Sequence, residues 1–106
     1  MKAVTILTLL ANTGLGMQVN YYTDGGCSKF AVSPPNVPTD GSCYNYSWSS
    51  MNSANIANCN FPSCTCVFYS GANCKGVTGF ASTQASNCAS NWGQGFRSFA
   101  CLGRNA

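Results

Sequence analysis

The chain has no histidine and no glutamate, and its only acidic side chains are Asp24 and Asp40. These absences remove most catalytic chemistry. A serine or cysteine nucleophile has no imidazole to activate it. Zinc has no histidine ligand, and Cys64-Thr65-Cys66 is one residue too tight for a redox Cys-x-x-Cys motif. A carboxylate pair for glycoside hydrolysis is barely available. Both aspartates precede glycine, which is where a turn uses them. We therefore expect no enzyme, no cofactor and no metal.

Charge is also scarce, at 7% of residues. Beyond residue 16 four basic side chains (Lys29, Lys75, Arg97, Arg104) face two acidic ones, a net of +2. That is too weak and scattered for a nucleic-acid footprint. Residues 1–16 read as a secretory signal peptide: Lys2, then the apolar Ala3 to Ala11, then small Gly14 and Gly16. Cleavage after Gly16 suits this pattern, and cleavage after Ala11 remains open. The apolar stretch is too short to span a bilayer, and no later segment is a candidate. Membrane insertion is not expected.

What is abundant is cysteine. Eight in 106 residues, behind a secretory leader, read as a disulfide scaffold for a single extracellular domain. No apolar period of 3.6 residues is sustained. Short β-branched and aromatic runs, cut by Gly, Pro, Asn and Ser, argue for an all-β domain. The strands are expected at 17–23, 28–33, 41–48, 53–59, 64–70, 76–82, 86–90 and 95–102. Residues 33–41 hold three prolines and read as a surface loop.

The order Tyr, Cys, Cys, Trp, apolar, Cys occurs twice. It runs through Tyr22, Cys27, Cys43, Trp48, Ile56 and Cys59, then through Tyr69, Cys74, Cys88, Trp92, Phe99 and Cys101. Residues 17–60 and 64–102 thus read as two copies of a four-strand unit. Two Greek keys forming a small β-barrel or sandwich of about eight antiparallel strands are the expected architecture. Eight cysteines allow 105 pairings. In a Greek key the first and fourth strands can be antiparallel neighbours, which places Cys66 near Cys101. Cys74 then reaches Cys88, Cys27 pairs with Cys43 by analogy, and Cys59 is left with Cys64.

The spacing Tyr69, Cys74, Gly76 resembles the hairpin of βγ-crystallin-like domains, an architecture shared with yeast killer toxins and Streptomyces metalloprotease inhibitors. Cysteine stands where the usual aromatic would, and Lys29 replaces the glycine in the first copy. The resemblance locates calcium ligands at Met51–Asn55 and Gln94–Ser98. Neither stretch has a carboxylate, so no calcium site is expected.

For binding, the candidate contact residues are Tyr21, Tyr22, Tyr44, Tyr46 and Tyr69, rigid amphipathic anchors for a partner or a sugar. Strand alternation puts one of Tyr21 and Tyr22 inside and the other outside. Trp48 and Trp92 read as equivalent core residues. Asn45-Tyr46-Ser47 is a glycosylation sequon, usable only if Asn45 points outward. Exposed edge strands with little charge invite a homodimer.

The stretches QVNYYTDGGCSKF, CYNYSW, NSANIANC and NCASNWGQGF resemble the small secreted cysteine-rich proteins of ascomycete fungi, of the Trichoderma type. The likeness covers nearly all of residues 18–101. It implies a β-barrel, effector-like protein that alters plant defence by binding a host protein or cell-wall component. The other readings left open are an antimicrobial killer-toxin-like protein, a wall-polysaccharide binder and a secreted protease inhibitor with the 33–41 loop as its inhibitory segment.

Overall fold

The computed structural model describes residues 16–46, 52–90 and 95–105. Trp48, Trp92, Met51, Gln94, Ser47 and residues 1–15 lie outside the described residues, and with them the two tryptophan expectations. The described fold starts at Gly16, one residue before the expected start of the domain. Gly16 is buried and its carbonyl accepts the Asn60 N–H at 2.7 Å.

The described residues are all-β. Eight strands follow one another: β1 (Gln18–Tyr22), β2 (Phe30–Val32), β3 (Asp40–Asn45), β4 (Ser53–Ala57), β5 (Ser63–Tyr69), β6 (Val77–Ser82), β7 (Ala89–Ser90) and β8 (Ser98–Arg104). They form two four-stranded antiparallel sheets, ordered β2-β1-β4-β7 and β3-β8-β5-β6. The architecture is a sandwich and not a closed barrel. β8 runs on to Arg104, two residues past its expected end, because Leu102, Gly103 and Arg104 pair with Thr65, Cys64 and Ser63.

The two sheet orders are identical when β1–β4 are exchanged for β5–β8. In each half the fourth strand returns beside the first, while the third crosses to the other sheet. β3 therefore lies on β8, and β7 on β4. This crossing corrects two of the expected disulfides. Cys27 bonds Cys88 and Cys43 bonds Cys74, each joining a hairpin of one half to the third strand of the other or, for Cys88, to the residue just before it. Cys59–Cys64 and Cys66–Cys101 pair as expected. All eight cysteines are thus bonded, the state of a chain folded in an oxidising compartment.

The interior follows strand alternation. Val19, Tyr21, Ala54 and Ile56 of one sheet meet Cys66, Phe68, Phe99 and Cys101 of the other. Val19 faces Ile56 across β1 and β4, and Cys66 faces Cys101 across β5 and β8. A disulfide in the second half thus stands where the first half has an aliphatic pair. Phe68 lies 5.2 Å from Phe96 and 5.6 Å from Phe99, tilted as aromatic quadrupoles prefer. Where β6 approaches β7, a Cβ on Gly79 would sit 3.2 Å from that of Ala89, so a side chain there would need the two strands to give by a few tenths of an ångström.

Both hairpins are closed by one buried serine. Ser53 Oγ donates to the Asp24 carbonyl and accepts the Cys27 N–H; Ser98 Oγ donates to the Gly71 carbonyl and accepts the Cys74 N–H. Cys27 and Cys74 share the left-handed conformation, with φ of 57° and 56°. A non-glycine residue is held there only when its surroundings fix it, and here a disulfide and a serine do so. β7 begins only at Ala89 because the Asn87 side chain takes over the ladder before it, accepting from Ile56 N–H and donating to its carbonyl.

The first hairpin has an additional lock. The Asp24 carboxylate accepts from the N–H groups of Gly26, Ser28 and Lys29 and from the Ser28 hydroxyl. These donors, led by Lys29 N–H, hold its carboxyl far below the usual range. A depressed folded-state pKa stabilises the fold above the ordinary aspartate pKa and loses that effect as pH falls through the folded value. The wild type should therefore exceed an Asp24→Asn variant in unfolding midpoint above about pH 4, and the gap should close toward about pH 2. Denaturant unfolding of both proteins across this range checks it.

Candidate functional site

The outer face of the β2-β1-β4-β7 sheet is lined with amides. Alternation along β1 turns Val19 and Tyr21 inward and Gln18, Asn20 and Tyr22 outward. Asn55 of β4 lies opposite Asn20, and Phe30 of β2 lies opposite Tyr22. Ser33 and Asn58 follow the ends of β2 and β4. These side chains hold one another. Gln18 Nε2 donates to Asn20 Oδ1 at 2.7 Å and to Ser33 Oγ at 3.2 Å. Asn58 Nδ2 donates to Gln18 Oε1, and Ser33 Oγ to Asn20 Oδ1. Asn20 Nδ2 and the Tyr22 hydroxyl both donate to Asn55 Oδ1.

The row has a different feature at each end. At one, Phe30 is 59% exposed and meets the Tyr22 ring edge-on at 6.1 Å. At the other, Gln18 and Asn58 continue into a groove of about 380 Å³, walled by Ser33, Pro34, Pro35 and Asn36. The 33–41 segment forms that wall because Pro34 and Val37 are buried and pin it down. Its last residues, Asp40 and Gly41, already belong to β3. No residue of the face or groove named here carries a charge.

The tyrosines expected to make contacts divide. Tyr21 is fully buried among Phe68, Phe96 and Phe99, which removes it from any binding surface and, by desolvation, raises its phenol pKa. Tyr22 faces outward but is only 9% exposed, covered where Phe30 leans on it, so only its hydroxyl and ring edge serve the face. Tyr44 is half-buried, stacked on Phe99 at 4.9 Å, with its hydroxyl donating to the Pro35 carbonyl. Tyr46 is half-buried 6.0 Å from Tyr21, and Tyr69 is half-buried on β5. The five do not form one cluster. Asn45 is exposed, and its side chain exchanges hydrogen bonds with Asn73 on the β5–β6 hairpin.

The opposite outer face differs in chemistry. Val67 pairs with Phe80 across β5 and β6, and Phe80 is 61% and Leu102 39% exposed. Its exposed apolar side chains, Phe80 and Leu102, stand beside Thr65 and Ser82, where the first face is lined with amides. Among the described residues no group of three or more His, Cys, Asp or Glu side chains could hold a metal ion, and no helix is long and apolar enough to cross a membrane.

Fold and face together define a disulfide-caged β-sandwich presenting an uncharged amide surface. No known protein family, curated protein or solved structure matches the chain.

Proposed function

We propose that this chain is a secreted, non-catalytic, effector-like protein that alters plant defence by binding a host component. The observation that carries this reading is the amide face. It is a set of hydrogen-bonding side chains already oriented by one another, so a ligand meets donors and acceptors that lose little freedom on binding. The chain's lack of histidine, glutamate and paired carboxylates favours binding over turnover. Four disulfides suit persistence outside the cell.

Paired infiltration into leaf or root tissue tests the proposal. One sample is the folded protein, with four disulfides confirmed by intact mass; the other is the same protein reduced and alkylated. Only the folded sample should shift defence markers. Equal activity of both, or of neither, overturns the reading.

A further inference from the structure

We propose that the amide face binds a neutral, β-linked hexosan chain laid along β1, from the Phe30–Tyr22 end to the proline-walled groove. The inference rests on the host-binding reading and names its ligand class.

A pyranose ring offers two things to a protein. Its hydroxyls pair with side-chain amides, which can donate and accept at once. Its C–H face packs on an aromatic ring. The first sheet supplies both in one line. Phe30 is the exposed ring. Asn20 and Asn55 come next, at one register position. Gln18 and Asn58 follow at the groove mouth. From Tyr22 to Gln18 the strand covers about 13 Å, enough for two to three sugar rings, with the groove extending the track.

The face keeps hydrogen-bonding capacity in reserve. Asn20 Oδ1 and Asn55 Oδ1 each accept two bonds from within the row. The Asn55 Nδ2 group donates to no described residue, and Asn20 Nδ2 uses one of its two hydrogens. Gln18 Oε1 accepts only from Asn58 among the described residues. These groups are therefore available to sugar hydroxyls without breaking the row. The ligand should be neutral, because an acidic or sulfated glycan would find no cation among these side chains. The flat outer side of a sheet also favours an extended chain over a compact sugar.

Titration of the ¹⁵N-labelled folded protein with cellohexaose, laminarihexaose, chitohexaose and a galacturonic acid hexamer tests this. The first three separate plant-wall, mixed-origin and fungal-wall sources of the same chemistry; the fourth is the charged control. At least one neutral hexamer should shift the side-chain amide signals of Asn20 and Asn55, and the acidic hexamer should not. Phe30→Ala should weaken binding about tenfold. Asn55→Ala should weaken it about fivefold. Phe80→Ala, on the opposite face, should leave it unchanged, and unchanged thermal midpoints would show that the variants remain folded. No binding by any neutral hexamer, or equal loss with Phe80→Ala, overturns the proposal. If glycans fail while the folded protein still alters defence, the ligand class is wrong and host binding stands. If both fail, both readings fall.

Discussion

Replacing Cys27 and Cys88 together by serine should lower the unfolding free energy by about 4 kcal/mol. Their disulfide joins residues 61 apart in sequence, and with Cys43–Cys74 intact inside that span it still closes a loop of about 30 residues in the unfolded chain. It also joins the first hairpin to the residue that leads into β7, the strand that the second half contributes to the first sheet. A domain of this size has about 5–15 kcal/mol in all, so the loss takes a large share of it. The melting temperature should fall by roughly 20 °C. Removing Cys59–Cys64, which spans five residues, should cost only about 2 kcal/mol. Thermal scans of the two double variants, without reductant, decide the matter. Equal losses would show that the crossed connection does not stabilise the fold as argued.

The second large effect belongs to the buried serines. Ser53→Ala should cost about 2–3 kcal/mol, because the Cys27 N–H and the Asp24 carbonyl both lose their partner. Ser98→Ala should cost a similar amount, since it strands the Cys74 N–H and the Gly71 carbonyl in the same way. Denaturant midpoints with an unchanged slope would measure both. A cost well below 1 kcal/mol for either would mean that water or another group satisfies the hairpin, and that the serine is not its lock.

The strands could be read from the sequence because each is short, β-rich and bounded by turn residues. Every expected strand is present with its ends moved by a few residues, apart from the end of 41–48, which enters residues outside the description. The Cys66–Cys101 bond was legible for a related reason: first and fourth strands of a Greek key are neighbours, so the pairing needs no knowledge of the other half. Cys27 and Cys74 were not legible in this way. Their partners sit just before β7 and on β3, the strands that change sheets, and spacing along the chain carries no sign of that exchange.

The amide face was written in the alternation of Gln18, Val19, Asn20 and Tyr21. Its amides are easily taken for residues that only keep an uncharged protein in solution. Their role as a row emerges once β4 sets Asn55 beside Asn20 and the turn after β4 brings Asn58 to Gln18. Tyrosine content pointed elsewhere. Tyr21 has the amphipathic chemistry of a contact residue, yet its position in the alternation places it in the core, with no described partner for its hydroxyl.

The most direct test of the central claim uses host material and no assumed ligand. Proton–nitrogen spectra of the labelled folded protein would be recorded with and without a soluble extract of root cell wall. The account predicts shifts at the side-chain amides of Gln18, Asn20, Asn55 and Asn58 and at the backbone of Phe30, with Phe80 and Leu102 unmoved. Shifts confined to Phe80, Val67 and Leu102, or none at all, would contradict it.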